Sequence, residues 1–199
     1  MSKEIHEQPE VIAKSLSNYI DMDNGVLNFP DLPYDLSAIS NVTLVACGSS
    51  YYAGLIARDW FEKFTNIKVN VEIASEFRYR EPPMDINGLT IFISQSGETM
   101  DTLMALKYVK KNKHSSIVIT NSLQSSMVRE ADVTIPTYAL KEVGVASTKA
   151  FTCQILSLAN LSIEIGKMTN AITIRDYNKN IKILKLLPSK LKKLVKDFT

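Results

Sequence analysis

The sequence has little of several features that often reveal what a protein does. Its 199 residues include two cysteines and two histidines, too few for a zinc cluster or a disulfide framework. We therefore expect no metal site and a reducing, cytoplasmic setting. The charged N-terminal stretch MSKEIHEQPE has no apolar segment of signal-peptide length, and no run of about 18 apolar residues occurs. These absences predict a chain that is neither secreted through a signal peptide nor membrane-spanning.

An excess of charge of one sign is also missing. The 23 basic and 21 acidic residues give a net charge of +2, too small to favour nucleic acid or an anionic membrane as the main partner. Neither G-x-x-x-x-G-K-[ST] nor G-x-G-x-x-G occurs, so we expect no ATP, NAD or other cofactor. Seven lysines and one acidic residue do lie from Lys179 onward. We interpret them as the exposed face of a packing helix, with a membrane-surface helix as the alternative.

Five short, mostly β-branched runs alternate with segments of helical spacing. The runs are VTLVA (42–46), VNVEI (69–73), LTIFI (89–93), SIVIT (116–120) and VTIP (133–136). Such runs predict strands buried on both faces, and their alternation with helices predicts a parallel sheet with right-handed crossovers. We therefore expect an α/β fold, a three-layer sandwich whose five-stranded parallel sheet has the order 2-1-3-4-5.

Turn-forming residues and composition divide the chain into three parts. Residues 1–35 are predicted to form a helix at 7–20 and a linker that contains Asn24-Gly25, Pro30 and Pro33. Residues 36–168 are predicted to form the sheet-containing domain, which ends in a long apolar helix at 148–165. Residues 169–199 are predicted to form a basic amphipathic helical segment that is interrupted near Pro188.

Two loops rich in hydroxyl groups follow the first and third predicted strands. They are CGSS, from Cys47 through Gly48 and Ser49 to Ser50, and SQSGET, which contains Ser94, Gln95, Ser96 and Thr99. In the order 2-1-3-4-5, strands one and three are neighbours whose crossovers leave in opposite directions. Both loops therefore face one crevice at the carboxyl edge of the sheet, where ligands bind in open parallel sheets.

The chemistry of the two loops suits a phosphate group. Each loop opens a helix, and a helix N-terminus offers free N–H donors and the positive end of the dipole. Serine and threonine add neutral donors, while Gly48 and Gly97 permit close approach or positive φ. The loops thus predict a phosphate cradle that works by hydrogen bonds, and we expect the Glu98 carboxylate to point away from it. The alternative is that Ser94, Ser96 and Thr99 only cap a helix.

Groups for acid-base or nucleophilic chemistry are scarce. A third candidate loop, KEVGVASTKAF (141–151), offers Gly144, Ala146, Ser147 and Thr148 ahead of a helix, with a simple Ser147 or Thr148 N-cap as the alternative. His6 and His114 are expected to be solvated, and Cys47 to be a small buried thiol rather than a nucleophile. Glu142 and Lys149 remain candidate acid or base groups. The pocket is therefore expected to be complete for binding and incomplete for catalysis.

Four segments carry a family resemblance. ACGSSYYAG, VEIASEFRYR, SQSGETMDTL and EVGVASTKAF, in this order, resemble the first sugar isomerase (SIS) subdomain of the glutamine–fructose-6-phosphate transaminase (isomerizing) family, the glucosamine-6-phosphate synthases. The resemblance is dense from about residue 4 to residue 164. It implies a flavodoxin-like SIS fold, a phosphosugar-binding domain at 36–168, and fructose 6-phosphate or glucosamine 6-phosphate as ligand.

The resemblance also implies roles for individual residues. Ser94, Gln95, Ser96 and Thr99 look like the phosphate-binding residues, and Ser49, where relatives often have threonine, looks like a sugar contact together with Cys47 and Gly48. Val145 and Ser147 look like further sugar contacts. No catalytic residue of the family is expected in this chain. A glutaminase domain and a second SIS domain would supply the remaining parts of the enzyme, a homodimer is expected, and the isolated chain is expected to bind phosphosugar weakly without turnover.

Two alternatives remain open on the sequence alone. One is a non-catalytic SIS module that senses a phosphosugar and reports it to a partner, although no helix-turn-helix pattern precedes Asn41. The other is a self-contained sugar-phosphate isomerase that is assembled by oligomerisation and uses His6 or His114.

Overall fold

The core of the fold is a five-stranded parallel sheet. A computed structural model describes residues 1–197 of the chain. The strands are β1 (Asn41–Ala46), β2 (Lys68–Ile73), β3 (Gly88–Ile93), β4 (Ser115–Thr120) and β5 (Val133–Pro136). They lie in the order β2-β1-β3-β4-β5, and every pairing is parallel. The predicted fold class, strand order and strand positions are confirmed.

Helices follow the strands and cover both faces of the sheet. They are α1 (Ser2–His6), α2 (Gln8–Tyr19), α3 (Gly48–Thr65), α4 (Ala74–Arg80), α5 (Met100–Lys111), α6 (Ser126–Glu130), α7 (Lys149–Met168), α8 (Ile174–Lys185) and α9 (Leu187–Asp197), with one 3-10 turn at Leu36–Ala38. The predicted helices at 7–20 and 148–165 correspond to α2 and α7. The C-terminal helix is broken at Leu186, just before Pro188, as predicted.

The alternation of side chains along the strands builds two separate cores. In β1, Leu44 and Ala46 face a large core that also contains buried residues of α2, α3, α7 and α8. Val45 points to the opposite face, where it joins Phe77 of α4 and Leu106 of α5. Because successive strand residues point to opposite faces, a continuous apolar run fills both cores at once. The result is the expected three-layer sandwich.

The edge strand β2 differs from the prediction that all five strands are buried on both faces. Lys68, Asn70 and Ile73 are exposed, whereas Val69 is buried. Both edge strands depart from the prediction, since β5 also has a neighbour on one side only and its Thr134 and Pro136 are half-buried. Polar side chains on such an edge also discourage pairing with a further strand.

Both termini of the described chain pack onto this sandwich. Val11, Ile12 and Leu16 of α2 are buried in the large core, and α9 packs against α2. Helix α8 buries Tyr177, Ile181 and Leu184 while its lysines stay at the surface. This arrangement supports the packing-helix interpretation of the basic segment up to Asp197, and the last two residues of the predicted segment 169–199 lie outside the described residues. No helix within residues 1–197 is long and apolar enough to cross a membrane.

Candidate functional site

The first two candidate loops lie side by side at the carboxyl edge of the sheet. Ala46 at the end of β1 is paired with Ile93 at the end of β3, so the two chains leave the sheet at the same level. Helix α3 then begins at Gly48 and helix α5 at Met100. The Thr102 hydroxyl of α5 lies 3.9 Å from the Cys47 sulfur, a contact that joins the two helix starts.

Hydrogen bonds within the second loop fix its shape. The Ser94 hydroxyl accepts a bond of 3.1 Å from the Gly97 N–H and lies 3.0 Å from the Thr99 hydroxyl. The Ser96 hydroxyl accepts a bond of 3.2 Å from the Glu98 N–H. Ser94 is buried and Ser96 is exposed. Ser94 therefore shapes the loop, whereas Ser96 presents its hydroxyl outward.

These hydroxyl groups do not act as helix caps. Within residues 1–197, no side chain at the N-cap positions Cys47 of α3 and Thr99 of α5 makes a capping hydrogen bond. The hydroxyls of Ser94 and Ser96 accept bonds from loop N–H groups instead. The first-turn N–H groups of a helix have no partner inside that helix. At the two helix starts they are available for an anion, which the helix dipole favours.

Two glycines allow the backbone to take this path. Gly48 and Gly97 have φ values of +57° and +63°, a left-handed conformation that disfavours other residues. A Cβ on Gly97 would also overlap the Ser125 hydroxyl and lie 2.6 Å from the Ser125 Cβ. Around Gly48 the space is open. The second loop is thus packed tightly against the start of α6, while the first loop is free on its outer side.

The Glu98 carboxylate is hydrogen-bonded to the start of α6. Its Oε1 accepts a bond of 2.7 Å from the Ser126 N–H at the start of α6. Hydrogen bonds from the Ser126 backbone and side chain lower the pKa of Glu98. The carboxylate thereby stabilises the N-terminus of α6 instead of remaining free beside a bound phosphate.

The third loop is organised by Glu142. Its Oε1 accepts bonds from the Thr148 N–H (2.9 Å) and the Ala150 N–H (3.2 Å), so it caps α7 across the loop. Its Oε2 accepts a bond of 3.1 Å from the Ser147 hydroxyl. Thr148 occupies the N-cap position, but its side chain makes no capping bond. The alternative of a simple Ser147 or Thr148 N-cap is therefore wrong, because the cap comes from a carboxylate outside the local pattern.

One open cleft lies between the second and third loops. It has a volume of about 450 Å³ and is lined by Gln95 and Glu142 together with Lys14, Asn121, Ser122, Tyr138, Leu140 and Lys141. Asn121 follows β4 directly, and it holds the segment after β5 by accepting a bond of 2.8 Å from the Ala139 N–H. The sequence reasoning missed Asn121 and Ser122. Their place after a parallel strand, at the same edge as the other loops, is the signal that could have found them.

The candidate residues differ in exposure. Gly48, Ser49, Ser96 and Val145 are exposed, Cys47, Gln95, Thr99 and Ser147 are half-buried, and Ser50 and Ser94 are buried. The structure brings the 47–50 and 94–99 loops together, and Gln95 lines the same cleft as Lys141 and Glu142. Val145 lines a separate cavity, shared with residues of α1. Exposed hydroxyls and free helix N–H groups together make a surface that can bind a phosphate through neutral donors.

The groups considered for acid-base chemistry are held elsewhere. Lys149 is 3% exposed and pairs with Glu7 at 2.6 Å, while Glu142 caps α7. His114 precedes β4, at the amino edge of the sheet and opposite the loops, and the His6 ring bonds the Ser2 carbonyl oxygen within α1. Among residues 1–197, no group of three or more His, Cys, Asp or Glu side chains could hold a metal ion.

The two cysteines have different environments. Cys153 lies in the large core, and burial raises the pKa of its thiol to about 12. Cys47 is half-buried at the start of α3. It is a thiol beside the cradle, less buried than expected, and its described sulfur contact is the Thr102 hydroxyl.

Comparison with known families gives one match over most of the chain. The family model described as the SIS domain matches residues 35–163. This range begins just before β1 and ends inside α7, so it includes all five strands and all three loops. Residues 1–34, with α1 and α2, lie outside it.

Two relatives have the same name. The glutamine–fructose-6-phosphate aminotransferase [isomerizing] of Zymomonas mobilis is 48% identical over 191 residues, which are 96% of this chain and 32% of that protein. The protein of the same name from Bradyrhizobium diazoefficiens is 47% identical over 189 residues, which are 94% of this chain and 31% of that protein. The chain thus spans about a third of the length of these relatives.

Solved structures show the same architecture. The C-terminal domain of glucosamine-fructose-6-phosphate aminotransferase from Francisella tularensis matches with a TM-score of 0.89 and 40% identity, over 94% of this chain and 53% of that one. A glucosamine-6-phosphate deaminase from Thermotoga maritima matches with a TM-score of 0.70 and 25% identity, over 90% of this chain and 51% of that one. In both cases the matched region is about half of the solved chain.

Proposed function

The chain belongs to the SIS-domain family, and we propose that it is the phosphosugar-binding half of the isomerase domain of a glucosamine-6-phosphate synthase. Such an enzyme converts fructose 6-phosphate and glutamine into glucosamine 6-phosphate and glutamate, a step in amino-sugar biosynthesis. The observation that carries the proposal is the pair of helix starts, α3 and α5, which lie side by side with hydroxyl loops and without side-chain caps. The names of the relatives support the choice of substrate.

In this proposal the phosphate binds at the second loop. The Ser96 hydroxyl, the Gln95 amide, the Thr99 hydroxyl and the N–H groups at the start of α5 donate to its oxygens, while buried Ser94 holds the loop in shape. The donors are neutral, and the helix dipole supplies the favourable field. A dianion held without a salt bridge can leave readily, as a metabolite in turnover must.

The sugar then extends from the phosphate toward the other two loops. Cys47, Gly48, Ser49 and Ser50 form one wall of its site, at the start of α3. Val145 and Ser147 of the third loop form another wall, and Ser147 bonds Glu142, which lines the same cleft as Gln95. These two walls and the phosphate site come from the loops after β1, β5 and β3, which is the arrangement that an open parallel sheet offers to a ligand.

Binding and catalysis separate in this chain. Ring opening and proton transfer need an acid or base within hydrogen-bond reach of the sugar, yet Glu98, Glu142 and Lys149 are engaged in bonds to α6, α7 and Glu7. We therefore propose that the chain binds phosphosugar and that a second SIS domain supplies the catalytic groups. A glutaminase domain, a homodimeric assembly and a cytoplasmic location complete the proposal.

A calorimetric titration tests the binding site. We expect the chain to bind fructose 6-phosphate saturably, to bind fructose not at all, and to bind inorganic phosphate more weakly. Ser96→Ala removes an exposed donor of the cradle and should weaken binding of both phosphate-containing ligands by roughly fivefold to tenfold. Ser189→Ala on α9 is the matched control and should bind as the wild type does. Binding that survives Ser96→Ala unchanged would place the phosphate elsewhere.

A further inference from the structure

Carboxylates at the N-terminus reach across the molecule to the third loop. The Glu4 Oε1 accepts bonds from the Val143 N–H (2.6 Å) and the Gly144 N–H (3.0 Å). Glu4 is 7% exposed, and the backbone bonds from Val143 and Gly144 lower its pKa. A carboxylate that accepts two backbone N–H bonds makes stronger hydrogen bonds than a neutral acceptor would. One residue of α1 therefore fixes the first half of a loop that lies nearly 140 positions later in the chain.

Two further contacts tie the same N-terminal segment to the start of α7. Glu7 pairs with buried Lys149 at 2.6 Å, and the Gln8 amide oxygen accepts a bond of 2.6 Å from the Thr152 hydroxyl. With Glu4, these three side chains lie within five consecutive residues, EIHEQ. The N-terminal segment is thus bonded to the third loop, before the N-cap residue Thr148, and to the first turn of α7, after it.

The second half of the loop is held by Glu142, which bonds Ser147 and caps α7. Between the two held halves lies the exposed pair Val145 and Ala146. The loop is therefore fixed at both ends and presents its tip to solvent. This tip carries one of the residues assigned above to the sugar, and Ser147 follows it directly.

The fit between Glu4 and the loop is close. A Cβ on Gly144 would overlap the Glu4 carboxylate, although Gly144 has no positive φ that would demand glycine. A side chain at this position would therefore displace the Glu4 carboxylate from its bonds to the loop. Glu4 and Gly144 thus form one unit, and Glu4 belongs to the segment outside the residues 35–163 that match the SIS-domain model.

We propose that Glu4 is a positioning residue for the sugar moiety of the ligand, because it sets the place of the loop that presents Val145 and Ser147. The inference rests on the proposed function. The phosphate binds at a different loop, after β3, whose bonds run to α6 and not to α1. Glu4 therefore affects the contribution of the sugar contacts to the binding affinity, and it does not affect the contribution of the phosphate contacts.

The test compares two ligands on the same variants. We expect Glu4→Ala to bind fructose 6-phosphate roughly tenfold more weakly, because a hydrogen-bonded charged anchor is lost. Inorganic phosphate has no sugar that could contact the third loop, so its affinity should be unchanged. Glu4→Gln keeps one amide oxygen as acceptor and should restore part of the affinity. Glu10→Ala, which removes an exposed carboxylate of α2, is the control and should bind both ligands as the wild type does.

The outcomes separate the two proposals. Equal weakening of both ligands by Glu4→Ala, or no weakening, overturns the positioning role while the proposed function stands. A wild-type chain that binds neither ligand overturns the proposed function, and the positioning role falls with it. Amide hydrogen exchange gives a readout without ligand, because Glu4→Ala should expose Val143 and Gly144 to exchange while the amides of β3 keep their protection. Unchanged exchange at those two residues also contradicts the inference.

Discussion

At residue scale, the shape of the 94–99 loop depends on Gly97, where an added side chain meets both backbone strain and overlap. Gly97 combines a φ of +63° with a position against Ser125 and Thr120, whose hydroxyl would lie 3.0 Å from an added Cβ. Gly48 has a similar φ of +57° but open space around it. A side chain at position 48 would therefore cause backbone strain alone, whereas one at position 97 would cause both backbone strain and steric overlap.

Alanine at these positions should destabilise the fold by different amounts. Gly48→Ala adds left-handed strain of about 1 kcal/mol, whereas Gly97→Ala adds overlap that raises the cost to about 3 kcal/mol. Urea unfolding of both variants measures the free energy of unfolding. Ser125→Gly in the Gly97→Ala background removes the overlapping side chain and should recover part of the loss. If Gly48→Ala and Gly97→Ala lower the free energy of unfolding equally, overlap around Gly97 does not contribute to the cost.

The sequence places hydroxyl residues in the loop after β3, but it does not reveal what each of them does. Ser94 and Ser96 have identical side chains two positions apart, and one is buried in loop bonds while the other is exposed. The distinction depends on the path of the loop after β3, which local spacing does not reveal. Local spacing likewise leaves Glu142 as a candidate acid or base. Its role as a cap comes from a contact six residues along the chain, outside the usual capping patterns.

At the scale of elements, the strands were predictable because composition and period agree. Runs such as LTIFI fill two cores at once, and only a doubly covered strand needs that pattern. The error at β2 was avoidable. In the full strand KVNVEI, Lys68, Asn70 and Glu72 alternate with apolar residues, the period typical of a half-exposed strand. The prediction considered only the β-branched residues and so missed that alternation.

The junction between the phosphate loop and α6 should be sensitive to acid. Hydrogen bonds from Ser126 lower the pKa of Glu98 below its ordinary value near 4.5. A lowered folded pKa contributes stability above the unfolded pKa, and this contribution is lost as the pH falls through the folded pKa. Glu98 thus stabilises the fold fully at neutral pH and progressively less below about pH 4.5.

Thermal unfolding at several pH values checks this junction. Between pH 7 and pH 3, the wild-type melting temperature should fall more steeply than that of Glu98→Gln, which carries no titrating group at this position. Glu76→Gln removes an exposed carboxylate of α4 and should follow the wild-type slope. If Glu98→Gln and the wild type lose stability in parallel, the bond to the Ser126 N–H makes no net contribution in solution.

At the scale of the whole molecule, the sandwich brings together residues that local patterns cannot connect. The loops after β1, β3 and β5 meet at one edge because the strands are parallel and the crossovers have one hand. This convergence was predictable from the strand order. The contacts from α1 and α2 to the third loop were not, because Glu4 and Glu7 resemble ordinary exposed charges of a short helix until the packing of α2 on α7 places them there.

The same packing leads to a prediction about catalysis. Three charged groups in or beside the loops are each committed to a structural bond: Glu98 to α6, Glu142 to α7, and Lys149 to Glu7. Releasing any of them for proton transfer would break a bond that shapes a loop. We therefore expect the 199-residue chain, supplied with fructose 6-phosphate and an ammonium salt, to form amino sugar no faster than a protein-free blank.

Binding measured on the same preparation separates inactivity from misfolding, because a chain that binds the ligand and yields no product has an intact cradle. Product above the blank that disappears in Ser96→Ala would contradict the prediction and place an acid or base within this chain. The double variant of His6→Ala and His114→Ala would then identify the source. Loss of that activity would implicate one of the two histidines, and His114 would have to act from a second copy, because it lies at the amino edge of its own sheet, opposite its own loops.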